Sequence, residues 1–223
     1  MIKVLSAAGT TSLYYCVKKG LRTRSGKGFR YRARIEARTN VSGNLLARKF
    51  TVNEPNRKWV SDITYIRVGR TWLFLAVVLD LFSRKVIGWS LDKHMRESLI
   101  LEAFNIAISC RDLEDEVLLH SDRGVQYRGH EYQQTLKTKC IACSMSRKGN
   151  CWNNAVMESF FSKLKVEFIY AECYKIIDDT QTGIFEYIEI FYNRQRRHSS
   201  IGNINPYQYE QQHNQLNVST FCG

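Results

Sequence analysis

Three acidic residues have the types and settings needed to gather divalent cations: Asp62, Asp122 and Glu158. Asp62 lies inside an apolar, β-branched run, Trp59-Val-Ser-Asp-Ile-Thr-Tyr-Ile66. Asp122 follows Val117-Leu-Leu-His-Ser121 and precedes Arg123-Gly124. Glu158 lies in a helical pattern, Asn154-Ala-Val-Met-Glu-Ser-Phe-Phe-Ser-Lys-Leu-Lys165. Any one of them alone is an ordinary surface acid. Two carboxylates from strands and one from a helix can instead converge on a pair of hard cations. Such a pair holds the attacking and leaving oxygens of a phosphodiester in line. Unneutralised, three converging carboxylates would repel one another, so dependence on metal follows from the arrangement. An all-oxygen donor set favours Mg²⁺ or Mn²⁺ over zinc.

Other reactive-looking residues read more plainly. Asp80 also ends an apolar run, but Asp80-Leu-Phe-Ser-Arg84 has the chemistry of a hairpin turn. His120 lies on a buried strand and reads as a packed histidine. Cys140 and Cys143 form a C-x-x-C with Cys151 beyond, and the fourth ligand a zinc site needs has no clear candidate. Lys165 lies seven residues after Glu158, two helical turns on along one face, where a lysine can grip a phosphate. Arg123 stands beside Asp122, and Arg147 and Lys148 occupy the loop before the glutamate helix. The cluster Asn193-Arg-Gln-Arg-Arg-His198 suits a helix C-terminus as well as it suits a DNA contact.

The elements that must position these groups follow from periodicity. Residues 59–66, 71–79 and 84–90 form three strands joined by short turns, an antiparallel meander. Arg96 to Cys110 is a helix with Leu99, Ala103, Ile106 and Ala107 on one face. Val117 to Ser121 is a short buried strand, expected to lie parallel to the first after a crossover. Gly129 to Lys139 is a helix and Ile141 to Ser144 a last strand. A long helix runs from Asn154 to Ile169, its core stripe being Met157, Phe161, Leu164 and Phe168. Asp178 to Asn193 is another, with Ile184, Tyr187, Ile188 and Phe191 at helical spacing. The expected fold is α/β, a mixed sheet flanked by helices.

Charge divides the chain. Of the net +12, residues 1–50 supply +11, with 12 Lys/Arg against the single acid Glu36. The stretch holding Lys18, Lys19, Arg22, Arg24, Arg30, Arg32 and Arg34, with Gly and two aromatics interleaved, reads as a flexible arm for a polyanion. Residues 1–52 are taken as this arm, 53–212 as the folded core and 213–223 as a tail. No apolar run is long enough to cross a bilayer. Seven cysteines at irregular spacing do not suggest a disulfide framework, and a cytoplasmic setting is expected.

Six strings carry a resemblance: W-V-S-D-I-T-Y-I, V-L-D-L-F-S-R-K-V-I-G-W, H-S-D-R-G-V-Q-Y, S-M-S-R-K-G-N-C-W-N-N-A, M-E-S-F-F-S-K-L-K and Y-N-R-Q-R-R-H-S-S-I-G. In this order and spacing they resemble the catalytic subunit of bacterial insertion-sequence transposases, of the DDE superfamily that includes retroviral integrases. The resemblance runs from about Gly20 to Gln211. It implies a ribonuclease H-like core, Asp62, Asp122 and Glu158 as a triad holding two divalent cations, and Lys165 as the basic residue two turns on. It also implies double-stranded DNA, both element ends and target, as substrate. The expected reaction is 3′-end cleavage followed by strand transfer, without ATP or a covalent enzyme intermediate. Expected partners are a first-reading-frame product carrying a helix-turn-helix and further copies of the chain, at the bacterial nucleoid. The chain departs from its kin at Asn153, where they carry aspartate, and at Cys140-Ile141, where they often have Gly-Ile. Its first twenty residues do not match the helical segment that usually precedes the arm. The competing reading is therefore a truncated, catalytically silent DNA-binding remnant.

Overall fold

The computed structural model describes residues 42–43, 45–46, 52–113, 115–146, 155–171 and 176–221. Five strands make one sheet in the order β3-β2-β1-β4-β5. Strands β1 (Lys58–Val68), β2 (Thr71–Asp80) and β3 (Val86–Asp92) form the antiparallel meander. Helix α1 (Glu97–Ser109) then crosses over, and β4 (Leu118–Ser121) joins β1 in parallel. Helix α2 (His130–Thr138) returns the chain to β5 (Ala142–Met145), parallel to β4. Helix α3 (Ala155–Lys163) continues as a π-helical stretch, Leu164–Ile169. Helix α4 (Ile177–Phe185) likewise continues as Glu186–Tyr192, and α5 (Pro206–Phe221) follows.

Strand alternation splits the core between the two faces of the sheet. On one face Val60, Ile66, Leu73, Leu75, Val77 and Leu79 meet Met157, Phe160, Phe161 and Leu164 of α3, with Ile184 and Ile188 beyond. On the other, Trp59, Ala76 and Val78 meet Leu99, Ala103, Phe104 and Ala107 of α1. β2 is thus buried on both sides, which is why its sequence is an almost unbroken apolar run. Gly88 lets α1 lie close on β3. A Cβ there would strike the Ala103 carbonyl and come within 2.7 Å of the Ala107 nitrogen.

Two predicted stripes are displaced. Ile106, expected on the buried face of α1, is exposed, and Phe104 and Ile100 fill that face instead. Phe191 is also exposed while Tyr192 is buried. The cause is helical widening: the turns from Glu186 to Tyr192 are π-helical. A π-helical turn holds more residues than an α-turn, so the inward position shifts along the chain. Leu46 is fully buried against the first core face, and the Met145 N–H donates to the Gly43 carbonyl at 3.2 Å, so these residues of the basic segment lie along the β5 edge.

Candidate active site

Asp62 sits mid-way along β1, opposite Val77 of β2. β4 accompanies β1 only from Lys58 to Val60, then ends, delivering Asp122 past its C-terminal end on the same side of the sheet. This is the carboxyl end of a parallel pair, where α/β folds place their sites. The Gly124 N–H donates to Asp122 Oδ1 at 2.8 Å, closing a tight turn around the carboxylate. A Cβ at Gly124 would lie 2.9 Å from that oxygen, so glycine allows the approach. Glu158 projects, exposed, from the first turn of α3.

The electrostatics tie the three together. Burial pushes the Asp62 carboxyl up to about 8, and the Asp122 and Glu158 charges add to the shift. Its opposing influences are the Ile63 N–H, which donates to Asp62 Oδ1 at 2.8 Å, and the Lys165 ammonium. Lys165 is itself pulled down by burial, against the attraction of Asp62. Its Nζ lies 4.8 Å from the Tyr65 ring centroid. The π-helical turn that begins at Leu164 carries this lysine.

Tyr127 is a site residue the sequence reading passed over. Its hydroxyl lies 3.0 Å from Ser61 Oγ, bonding β1 next to Asp62 with the segment that follows Asp122. Burial and the field of Asp62 push the phenol well above its usual range, so it stays protonated. The signal available was its place five residues after Asp122 in H-S-D-R-G-V-Q-Y.

His120 is packed, as its strand position predicts. Ser144 Oγ accepts the Leu45 and Leu46 N–H groups at 3.0 and 3.2 Å, which leaves its own proton for His120 Nδ1 at 2.8 Å. Burial lowers the imidazole to about 4. Asp80 is fully buried in its turn, accepting the Asn56 and Phe82 N–H groups at 2.9 Å each. Arg123 is half-buried beside Asp122. Arg147, Lys148, Asn153 and the arm cations Lys18, Lys19, Arg22, Arg24, Arg30, Arg32 and Arg34 lie outside the described residues. Among the described residues, no group of three or more His, Cys, Asp or Glu side chains is already gathered closely enough to hold an ion.

The family models for the integrase core domain match residues 52–151 and 139–206. The transposase InsF of insertion sequence IS3A from Escherichia coli is 44% identical over 86% of this chain and 67% of its own length. A 31 kDa protein of insertion element IS600 from Shigella sonnei is 37% identical over 90% of this chain and 74% of its own. The chain belongs to the integrase-core transposases of bacterial insertion sequences. Solved structures give the same fold at low identity. The HTLV-2 integrase catalytic core, solved with magnesium as a trimer, superimposes with a TM-score of 0.54 at 19% identity, over 70% of this chain and 97% of that one. A chain of the simian T-cell lymphotropic virus intasome gives 0.58 at 19%, over 78% of this transposase and 58% of that chain. The transposase therefore has the ribonuclease H-like fold, the mixed five-stranded sheet flanked by helices. Among the described residues, no helix is long and apolar enough to cross a membrane.

Proposed function

We propose that this chain is the catalytic subunit of its transposase, cutting DNA at the ends of an insertion sequence and joining the freed ends to new DNA. The observation that carries this reading is Asp62. A carboxylate whose burial and like-charged neighbours push it up to about 8 is costly to keep, and such groups cluster at functional sites. On this reading Asp62, Asp122 and Glu158 hold two divalent cations, Mg²⁺ or Mn²⁺. The donor set fits, being all oxygen, and bound positive charge would relieve the repulsion at Asp62. Once bound, the cations supply Lewis-acid charge at a phosphodiester.

The protein's own groups would position the reactants. The Ile63 and Gly124 N–H groups each hold one oxygen of an aspartate, which orients the carboxylates. The Ser61–Tyr127 contact keeps the two aspartate-bearing segments together. Lys165 would take a phosphate of the strand beside Asp62. In the first step a water oxygen bonds to phosphorus as the P–O3′ bond breaks, freeing a 3′-hydroxyl. In the second that hydroxyl oxygen bonds to a target phosphorus as another P–O3′ bond breaks. Arg123, Arg147, Lys148 and the basic arm would neutralise flanking phosphates. A first-frame partner would supply end recognition, and further copies of the chain would hold two ends at once.

The test is a labelled duplex bearing the element's end, incubated with the full chain and Mg²⁺ or Mn²⁺. The expected result is metal-dependent nicking or strand joining that is absent in Asp122→Asn. DNA binding without chemistry, even with the first-frame product added, would favour the silent remnant.

A further inference from the structure

Outside the group of Asp62, Asp122 and Glu158, three elements bring cations together. The β2–β3 turn gives Arg84, the last turn of α3 gives Lys163, and the segment after Tyr192 gives Arg196 and His198. Each feels the others. Burial lowers Lys163, and the Arg196 and Arg84 charges lower it further. Burial likewise takes His198 down to about 4, with Arg196, Lys163 and Arg84 adding to the fall. Two acids are near, and both are engaged. Glu167 accepts three N–H groups of Arg196 contacts at 2.7 to 3.2 Å and the Tyr187 hydroxyl at 3.0 Å. Asp80 acts on Arg84, but its oxygens accept the Asn56 and Phe82 N–H groups.

Two donors of this cluster have nowhere to go. Among the described residues, the buried Arg84 Nη1 and His198 Nε2 have no hydrogen-bond partner. His198 cannot swing away to find one. It is 5% exposed, its ring stands edge-on to Tyr192 with centroids 4.8 Å apart, and its backbone is bonded to Ile201, Asn203 and Ile204. Arg84 is held there against its backbone preference. Its φ is 63°, in the left-handed region that favours Gly or Asn, and its N–H closes the turn on the Asp80 carbonyl at 2.9 Å. The turn alone gives no reason for a long cation at that position. Buried, unpartnered nitrogens beside uncompensated positive charge call for an acceptor that carries negative charge. A phosphate group, with acceptor oxygens pointing in several directions, can meet donors that arrive from three elements.

We propose that Arg84, Lys163 and His198 form a binding site for a dianionic phosphate group. Arg196 stands beside it and supplies field rather than contact, because Glu167 holds its guanidinium. The terminal phosphate of a DNA strand and a small phosphate compound share this chemistry. A phosphodiester inside a strand carries one charge and has two of its oxygens esterified, so it suits the donors less well. The bound group would tie the end of α3 to the β2–β3 turn and to the segment after Tyr192, bracing the helix that carries Glu158. The site does not depend on whether Asp62, Asp122 and Glu158 hold cations.

The experiment follows the melting temperature of the full chain in chelator as inorganic phosphate replaces chloride at constant ionic strength. The unmodified chain should show a saturating rise, as mass action requires of a ligand that binds only the folded state. The His198 imidazole proton resonances should move over the same phosphate range. Asparagine tolerates the left-handed turn, so Arg84→Asn should keep its melting temperature in chloride, while its apparent Kd for phosphate rises by about ten-fold or more, the loss of one hydrogen bond to a charged group. Lys163→Gln, on a different element, should weaken phosphate in the same way. A rise of equal size in the unmodified chain and both variants is the general salting effect of phosphate and would overturn the proposal, as would a flat response of the unmodified chain. A 5′-phosphorylated oligonucleotide and its 5′-hydroxyl twin separate the two sources. Tighter binding of the phosphorylated strand, abolished in Arg84→Asn, assigns the site to a DNA end. Equal binding of the two strands, with the phosphate response intact, assigns it to a small phosphate compound.

Discussion

Two regions of this molecule bury carboxylates, and they treat them in opposite ways. Around Glu210, α5 meets the β2–β3 turn, and each charge finds a partner. Glu210 receives Ser83 Oγ at 2.7 Å, Lys85 Nζ at 2.9 Å and Arg111 Nη2 at 2.6 Å. Those bonds hold it below the usual carboxylate range in spite of burial. Nearby Asp80, with two backbone donors and the Arg111 charge against its burial, rises only to about 6. Asp62 lies three residues along the β1–β2 ladder from the Asp80 register and meets two acids. The same sheet therefore satisfies buried acids where they serve the fold. At Asp62 it sets burial and two neighbouring acids against the Ile63 N–H and Lys165 where, on the proposed reading, a cation is to arrive.

Breaking each region should expose the contrast. The largest effect is expected from Glu158→Gln, which should lower nicking and strand joining by about 10³-fold or more while DNA binding and melting temperature hold. Unfolding of that variant would remove Glu158 from its proposed role. Glu210→Ala should do the reverse. It leaves Arg111 and Lys85 facing each other with no shared carboxylate, so about 3–5 kcal/mol of stability should be lost in denaturant titration. Nicking per folded molecule should stay unchanged. A destabilisation under about 1 kcal/mol would place this cluster among ordinary surface pairs.

The contrast also explains how much was legible in sequence. Strand order, the parallel β1–β4 pairing and the setting of Asp62, Asp122 and Glu158 follow from period-two runs, short turns and one crossover helix. All of these are local patterns. Helix α5 is not foretold because its sequence has weak apolar periodicity and it is fixed by Glu210, whose partners lie 99 to 127 residues earlier in the chain. Its start was readable all the same: Asn205 Oδ1 accepts the Gln208 N–H at 2.8 Å, a cap just before Pro206. The exchange of Phe191 for Tyr192 was not readable, because α-helical spacing contains no sign of a π-helical turn. Tyr127 escaped notice because a tyrosine in a motif looks like core until its hydroxyl is placed against Ser61.

A smaller effect separates the two regions by pH. The Asp62 carboxyl titrates near 4 when unfolded and near 8 in the fold without cations. Its folded value is raised, so its contribution is fully present below about pH 4 and is lost as pH climbs toward 8. In chelator, stability should therefore fall by a few kcal/mol across that window. Asp62→Asn should flatten the upper half of the slope, leaving the part between about 4 and 6 that Asp80 contributes. Mg²⁺ at pH 8 should raise the melting temperature of the unmodified chain and not of Asp62→Asn. An identical slope in both proteins would mean that Asp62 is hydrated.

The smallest change tests whether the Asp62 region is held rigid. Tyr127→Phe removes one hydroxyl and its bond to Ser61, with ring packing against Tyr132 retained. Loss of a single neutral hydrogen bond should cost about 1 kcal/mol. If that bond serves only the core, nicking per folded molecule will not change. If it fixes the segment bearing Asp122 against β1, nicking should fall several-fold more than the stability loss explains. Added metal should then recover part of the rate, because tighter occupancy compensates for looser carboxylates. In the Glu210 region a comparable loss, Ser83→Ala, removes one bond from a carboxylate that keeps Lys85 and Arg111, and should leave the rate untouched. The pair of variants thus asks whether equal damage to the two regions has unequal chemical consequences, as a site that depends on position rather than on charge balance requires.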